Sequence, residues 1–175
     1  MSNYQLCCEC ARWLRSKKNK EHWETPWKYV AVELVCYGTE NADVWATNGW
    51  SSIVVEVKTS KKDFKSDFRK KYRQEHWRDQ IPGNYRYYLV PKGVIPPNEL
   101  PEGCGLLEWD GKKIVRTLSA KFRQVTNRAD LIYLCSILRR EGFPNKIFNF
   151  RAAPHREPVS ERGLPERTAN KKKLI

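Results

Sequence analysis

The sequence predicts an α/β protein whose elements follow in the order helix, three strands, helix, strand, small hairpin and helix. Three observations carry this prediction. Apolar residues recur at the helical period of about 3.6 over residues 3–18. An Asn-Gly dipeptide at positions 48–49 separates two β-rich runs, which is a strong signal for a β-hairpin. A hydroxyl and an acid at Ser60 and Asp63 match a capping box, so a helix is expected to begin directly after Ser60.

Local periodicity and turn residues place the remaining elements. These are a strand over 28–36, the hairpin over 43–59, the helix over 61–79, a strand over 85–90, a second hairpin over 106–118 and a helix over 127–141. Beyond about residue 150, Arg, Pro, Glu and Lys replace most apolar residues. This change predicts one domain over 1–150, followed by a disordered basic tail over 151–175.

The charge of the chain favours a polyanionic partner. The 175 residues carry 33 Lys and Arg against 20 Asp and Glu, which gives a net charge of +13. Nucleic acid is the simplest such partner, and a membrane surface is the lesser alternative. No run approaches the ~20 apolar residues of a membrane span, and the N-terminus lacks a basic region before an apolar stretch. We therefore expect no membrane partner and a location in the cytoplasm, or in a host cytoplasm if the protein is phage-encoded.

The sequence gives no support to several other kinds of site. It contains neither GxxxxGK[ST] nor GxGxxG, so nucleotide hydrolysis on a P-loop is not indicated. Its three His, at positions 22, 76 and 155, lie far apart and do not accompany a nucleophile elbow.

The N-terminal cysteines offer a zinc alternative. Cys7, Cys8 and Cys10 cluster, and Cys7 and Cys10 have CxxC spacing, but neither a second CxxC pair nor the paired His that are typical of zinc sites accompany them. On a helix, Cys7 and Cys10 share one face with Leu6, Trp13 and Leu14, which is typical of small buried side chains. In a reducing compartment all six Cys are expected to be free thiols.

The hairpin over 43–59 brings together candidate catalytic residues. With a two-residue turn at 48–49, Asp43 faces Val54 on the paired strand. Side chains alternate along a strand, so Val54, Glu56 and Lys58 share one face. Asp43 then lies diagonal to Glu56, at about 7–8 Å or less. Two carboxylates at this separation can bind one hard cation, with an ammonium beside it.

This set of residues suits the hydrolysis of a phosphodiester. Mg²⁺, or Mn²⁺ in its place, is held by one or two carboxylates and leaves room for phosphate oxygens. Asp43 and Glu56 are the expected ligands, and the backbone carbonyl of Val57, between Glu56 and Lys58, can add another. Lys58 is expected to orient the attacking water or to stabilise the charge that develops on the phosphate.

Two further acids are candidate metal ligands. Glu33 lies between apolar neighbours on the strand predicted over 28–36, so it either supports the metal or occupies an edge or solvent-facing position. Glu9 lies on the first helix, from which its side chain can face the sheet.

The helix predicted over 61–79 is dense in basic residues and follows the candidate site directly. Such a charge run is usually a solvated face, but beside a phosphodiester site it equally fits contacts with the phosphate backbone. The candidate nucleic-acid-binding residues are Lys61, Lys62, Lys65, Arg69, Lys70, Lys71, Arg73 and Gln74.

Asp43 and the run Glu56-Val57-Lys58, on a hairpin between two helices, resemble the PD-(D/E)XK nuclease superfamily. The resemblance is greatest to its MmcB-like branch of bacterial and phage DNA-repair proteins. It covers roughly residues 6–120, with the likeness carried by 42–44, 55–64, Asp67, Lys70, 87–93, 100–101 and 105–107. Ala42 stands where the superfamily's name has Pro, a position that supplies no ligand.

The resemblance implies a restriction-endonuclease-like core, with a mixed central β-sheet flanked by helices in the order αβββαβ. It also implies metal-dependent nuclease chemistry, with Asp43 and Glu56 as ligands and Lys58 as the catalytic lysine. The leading hypothesis is therefore a Mg²⁺- or Mn²⁺-dependent DNA endonuclease in repair, recombination or phage DNA metabolism. A catalytically silent DNA-binding or partner-recruiting module on the same fold is the alternative. Cutting both strands of a duplex calls for two sites, so a homodimer is one arrangement that the hypothesis allows.

Overall fold

The computed structural model describes residues 1–16, 27–36, 39–67, 81–126 and 128–140. The described elements are α1 (Asn3–Arg15), β1 (Tyr29–Val32), β2 (Val44–Thr47), β3 (Ser52–Val57), α2 (Lys61–Asp67), β4 (Tyr85–Pro91), a 3₁₀ turn (Pro97–Glu99), β5 (Gly105–Trp109), β6 (Ile114–Leu118) and α3 (Arg128–Arg140). This order confirms the predicted α/β class and the predicted succession of helices and strands.

A single mixed sheet organises the described chain. Its six strands are hydrogen-bonded in sequence order, from β1 to β6. The pairs β1–β2, β2–β3 and β5–β6 are antiparallel, whereas β3–β4 and β4–β5 are parallel. The two parallel pairs put β4 at the interior of the sheet, where five of its seven residues are buried.

Alternate side chains of the strands enter two separate cores. On one face, Val55, Val57 and Leu89 pack with residues of α1, including Leu6 and Leu14. The other face contains a second cluster, made of Phe64, Tyr88, Val90, Ile95 and Leu106. Because β-strand residues alternate between faces, the even-numbered residues of β3 share the face opposite to α1.

The β2–β3 hairpin differs from the prediction in its turn. Val44 pairs with Val55 and Thr47 pairs with Ser52, so the connection has four residues, 48–51, instead of two. Asn48 does not adopt positive φ as a type I′ turn requires. Instead its side-chain Oδ1 accepts hydrogen bonds from the backbone N–H groups of Trp50 and Ser51, both at 2.9 Å. The predicted two-residue turn was therefore wrong.

Glu33 ends β1 earlier than the prediction of a strand over 28–36. Its φ of +49° is left-handed, and a strand cannot continue through that conformation. Glu33 is consequently an exposed residue just after the strand, and its backbone N–H donates to the Asp43 carbonyl oxygen at 2.8 Å. The placement of Glu33 within a strand was wrong.

The start of α2 is capped at Ser60, as the sequence predicts. The backbone N–H of Asp63 donates to Ser60 Oγ at 3.1 Å, which confirms half of the predicted capping box. The Asp63 carboxylate accepts from the backbone N–H of Thr59, at 3.3 Å. The structure describes α2 only to Asp67, so the rest of the helix predicted over 61–79 lies outside the described residues.

The chain divides into two compact units, Met1–Ser136 and Ile137–Ile175. The first contains the whole sheet. Of the second, the structure describes only the last residues of α3, so the predicted domain end near 150 and the tail over 151–175 stay predictions. Within the described ranges, no helix is long and apolar enough to cross a membrane.

Candidate active site

Asp43, Glu56 and Lys58 converge at one end of the β2–β3 hairpin. Continuing the observed register by one residue places Asp43 directly opposite Glu56, where a diagonal arrangement was expected. The Lys58 ammonium Nζ lies 3.2 Å from Glu56 Oε2 and 3.8 Å from Asp43 Oδ2. The Lys58 ammonium thus lies within 4 Å of both carboxylates, whereas the binding of a metal cation by them stays a prediction.

The three side chains differ in their access to solvent. Glu56 and Lys58 have only 2% and 6% of their side-chain surface exposed, whereas Asp43 retains 27%. Asp43 is fixed by a hydrogen bond from the backbone N–H of Val57 to its Oδ2, at 2.8 Å. A substrate can therefore reach the site from the Asp43 side, while Glu56 lies deeper.

Burial determines the acidity of Glu56. Loss of hydration, together with the nearby Glu40 and Asp43 carboxylates, raises the pKa of its carboxyl to about 7. The charges of Arg86 and Lys58 oppose this rise. Glu56 is therefore a carboxyl whose pKa lies close to neutrality and which a nearby cation would drive into its charged form.

Arg86 and Glu40 form a buried ion pair behind Glu56. Arg86 Nη1 donates to Glu40 Oε2 at 2.8 Å, Nη2 donates to Glu40 Oε1, and Nη2 also lies 3.3 Å from Glu56 Oε1. Burial works against the guanidinium, but Glu40 raises the pKa of Arg86 well above its usual value. The sequence analysis missed both residues.

One of the two could have been found from the sequence. Arg86 is the single charged residue in the apolar run Tyr85–Pro91. Because it pairs with Val54, its side chain lies on the same face of the sheet as that of Glu56. A charge in a buried strand needs a partner, which is the signal for Arg86. Glu40 lies in a loop without any pattern, so nothing in the sequence marked it as that partner.

Asn3 contacts the backbone carbonyl that was expected to add a metal ligand. Its Nδ2 donates to the Val57 carbonyl oxygen at 3.1 Å, and its Oδ1 accepts from Cys7 Sγ at 3.3 Å. The Val57 carbonyl is thus directed to the edge of the sheet where α1 begins. Asn3 was not predicted, because it stands at the first position of a helix without a distinguishing motif.

Cys7 is buried beside the site and is not poised as a nucleophile. Burial, together with the charges of Asp43 and Glu33, raises the pKa of its thiol to about 12. Cys10 is buried as well, and burial raises its pKa too. All six Cys are free thiols, and the predicted shared face of Leu6, Cys7, Cys10 and Leu14 is confirmed by their burial.

The two further acids occupy different surroundings. Glu33 is exposed, and its charge acts on Tyr4 and Cys7 of α1. Glu9 lies on α1, where its carboxylate pairs with Arg12 one turn later. Within the described ranges, no group of three or more His, Cys, Asp or Glu is arranged to hold a metal ion. Glu33 and Glu9 therefore do not form a metal-binding group with Asp43 and Glu56.

The predicted nucleic-acid-binding residues are only partly described. Lys62 and Lys65 are exposed on α2, and Lys61 pairs with Glu99 at 2.5 Å. The other candidates lie outside the described residues, namely Arg69, Lys70, Lys71, Arg73 and Gln74.

The donor set of the site suits a hard divalent cation. Asp43, Glu56 and the Val57 carbonyl are all oxygen donors, and Mg²⁺ is commonly bound through one or two carboxylates with water completing its shell. The Lys58 ammonium contacts both carboxylates, so the geometry allows a single positive charge to bridge them. These residues fit Mg²⁺ or Mn²⁺ better than a metal that prefers thiolates.

Comparison with known proteins yields one structural relative. No family model matches the chain, and no curated protein matches it. The SPO1766 protein of unknown function from Silicibacter pomeroyi has a similar structure, with a TM-score of 0.57 and 19% sequence identity. The alignment covers 82% of this chain and 91% of that one. At this identity the likeness extends to the fold alone.

Proposed function

We propose that this protein is a Mg²⁺- or Mn²⁺-dependent DNA endonuclease built on a restriction-endonuclease-like core of the PD-(D/E)XK type. The observation that carries the proposal is the convergence of Asp43 and Glu56 on one cation, the Lys58 ammonium. The net charge of +13 supports DNA as the substrate. The proposed setting is DNA repair, recombination or phage DNA metabolism, in the cytoplasm of a bacterium or of a phage-infected host.

Each residue of the trio has a separate task in the proposed reaction. Asp43, which is partly accessible, and the buried Glu56 would hold the cation. When bound, the cation would supply Lewis-acid stabilisation of the phosphate oxygens. Lys58 orients the attacking water and stabilises the charge that develops on the phosphate. Its aliphatic stem is buried, so its ammonium is held in place beside both carboxylates.

Exposed lysines next to the site suit the phosphate backbone of DNA. Lys62 and Lys65 lie on α2, which begins three residues after Lys58. Contacts of this kind position the duplex without reading its sequence. Cleavage of both strands calls for two sites, so a homodimer on DNA is one form that the enzyme can take.

A silent DNA-binding module on the same fold is the second candidate. It is favoured by the burial of Glu56, whose two oxygens already face the cations of Lys58 and Arg86. A carboxylate that is paired with two cations in this way can stabilise the fold without binding a metal. Cleavage activity separates the two candidates, since both predict binding to DNA.

The test is incubation with plasmid, single-stranded and branched DNA in the presence of Mg²⁺ or Mn²⁺. Wild type is compared with Lys58→Ala, and with Lys112→Ala as a matched control in the exposed loop between β5 and β6. We expect wild type and Lys112→Ala to cut, and Lys58→Ala to lose at least ~100-fold in rate. Equal cutting by all three proteins would refute the proposed role of Lys58. If none of them cuts but all retain salt-sensitive binding, the silent module is the better description.

A further inference from the structure

The buried ion pair of Glu40 and Arg86 has no part in the chemistry described so far. Its side chains are 1% and 6% exposed, and Arg86 extends one nitrogen to Glu56 Oε1. The other oxygen of Glu56, Oε2, faces Lys58. The two oxygens of the Glu56 carboxylate are therefore held by different cations on different sides.

The fold holds the pair from two directions. Arg86 lies on β4, where it pairs with Val54 of β3. The next residue of β4 on the same face is Tyr88, which pairs with Glu56. The loop that carries Glu40 is fixed by Tyr133 of α3, whose hydroxyl donates to the Glu40 carbonyl oxygen at 2.5 Å. Tyr133 in turn packs against Trp45 of β2, with 5.3 Å between the ring centroids.

Stability alone is a poor explanation for this arrangement. Removing two charges from water costs about as much as their mutual attraction returns, and apolar residues of similar size often serve a core equally well. The geometry has a more specific consequence. Glu40 accepts two hydrogen bonds from the Arg86 guanidinium and compensates its positive charge. Glu56 therefore accepts a hydrogen bond from an Arg86 whose charge is already paired.

We propose that Glu40 and Arg86 are positioning residues for Glu56. Arg86 anchors Glu56 Oε1, and Glu40 limits the positive charge of Arg86, so that Oε2 stays directed to Lys58 and Asp43 where the cation binds. This inference rests on the proposed metal-dependent function. It assigns Glu40 and Arg86 a role in the affinity of the site for its metal, and neither residue touches the substrate.

The experiment measures Mn²⁺ binding to the full chain by titration calorimetry. The variant Glu40→Gln/Arg86→Met replaces the ion pair with neutral side chains of similar size, which the core is expected to accept. Arg123→Met is the control, because Arg123 is a partly buried arginine that donates to the carbonyl oxygens of Pro82 and Gly83. Circular dichroism verifies that each variant is folded.

We expect the double variant to bind Mn²⁺ roughly 10–100-fold more weakly than wild type, as is typical for partners of metal ligands. Arg123→Met should lose stability but keep wild-type affinity. A folded double variant with unchanged affinity would overturn the positioning role while leaving the proposed function intact. Failure of wild type itself to bind Mn²⁺ would overturn both.

A single substitution keeps the inference testable if the double variant does not fold. Glu40→Gln leaves the charge of Arg86 uncompensated beside Glu56, so Glu56 is drawn more strongly to Arg86. Mn²⁺ affinity is then expected to fall at least severalfold. Wild-type affinity in this variant would contradict the inference.

Discussion

Glu56 is the residue whose surroundings say most about the site. It is almost fully buried, it contacts two cations, and two other carboxylates lie close to it. Burial raises its pKa to about 7, which is far above that of an ordinary glutamate. In the metal-free protein, the Glu56 carboxyl is consequently protonated over much of the mildly acidic range.

The stability of the metal-free protein should therefore depend on pH through Glu56. The ordinary pKa of 4.5 applies to the unfolded chain and about 7 to the folded one. The contribution of Glu56 to stability is fully present below pH 4.5 and is lost as the pH rises through about 7. The expected loss is on the order of 3 kcal/mol in the free energy of unfolding.

Urea unfolding in a chelator, at a series of pH values, measures this contribution. The variant Glu56→Gln cannot titrate at this position, so the difference between wild type and variant isolates Glu56. We expect the variant to gain stability relative to wild type between pH 4.5 and 7. Parallel curves for the two proteins would mean that the Glu56 carboxyl titrates normally.

Among individual residues, the sequence analysis placed Asp43, Glu56 and Lys58 together but did not identify Arg86 and Glu40 behind Glu56. Asp43, Glu56 and Lys58 follow from the period-2 alternation of one hairpin, which is local information. Arg86 and Glu40 meet across 46 positions of sequence, and only the parallel pairing of β3 with β4 brings Arg86 beside Glu56. Periodicity within a strand carries no information on such a contact.

The β2–β3 hairpin explains why a wrong turn still led to the right residues. The real register differs from the predicted one by two residues, and a slip of two preserves the face of every side chain. Asp43 and Glu56 therefore stayed on a common face and moved from diagonal to opposite. The turn length itself depends on side-chain hydrogen bonds of Thr47 and Asn48, which the Asn-Gly signal does not include.

Asn48 should be a stabilising residue of this hairpin. Asn48→Ala removes the acceptor for two backbone N–H groups, so we expect a loss of about 1–2 kcal/mol in the free energy of unfolding. Asn48→Asp keeps an acceptor oxygen and should lose much less. Urea unfolding of both variants gives the values. Equal losses would show that the side-chain acceptor does not hold the turn.

At the scale of the whole molecule, the described chain forms one mixed sheet and the full sequence carries a net charge of +13. The succession of elements was predictable, because each helix or strand has its own periodicity and boundary signals. The insertion of β4 as an interior parallel strand was not worked out from local pattern, since pairing between distant strands depends on the packing of both faces. The similarity to the Silicibacter pomeroyi protein supports this fold and adds nothing on activity.

The positive charge of the chain, including the exposed Lys62 and Lys65 of α2, should make DNA binding depend strongly on salt. Each lysine that contacts a phosphate contributes about 1 to the slope of log affinity against log salt. The variant Lys62→Ala/Lys65→Ala should therefore reduce the slope by about 2. Fluorescence anisotropy with a short duplex at several salt concentrations provides the slopes.

The matched control for this measurement is Lys112→Ala/Lys113→Ala, which removes the same charge from the exposed loop between β5 and β6. It should leave the slope close to that of wild type. Equal effects of the two double variants would assign binding to overall charge and not to the face of α2.

The central claim is that Asp43 and Glu56 hold one divalent cation on which DNA cleavage depends. Its most direct test is the initial rate of plasmid cleavage measured against Mn²⁺ concentration, for wild type, Asp43→Asn and the surface control Asp110→Asn. We predict a saturating curve for wild type and for Asp110→Asn, complete loss with a chelator, and a rate at least ~100-fold lower for Asp43→Asn. Cleavage that persists in the chelator, or identical curves for the three proteins, would contradict the claim.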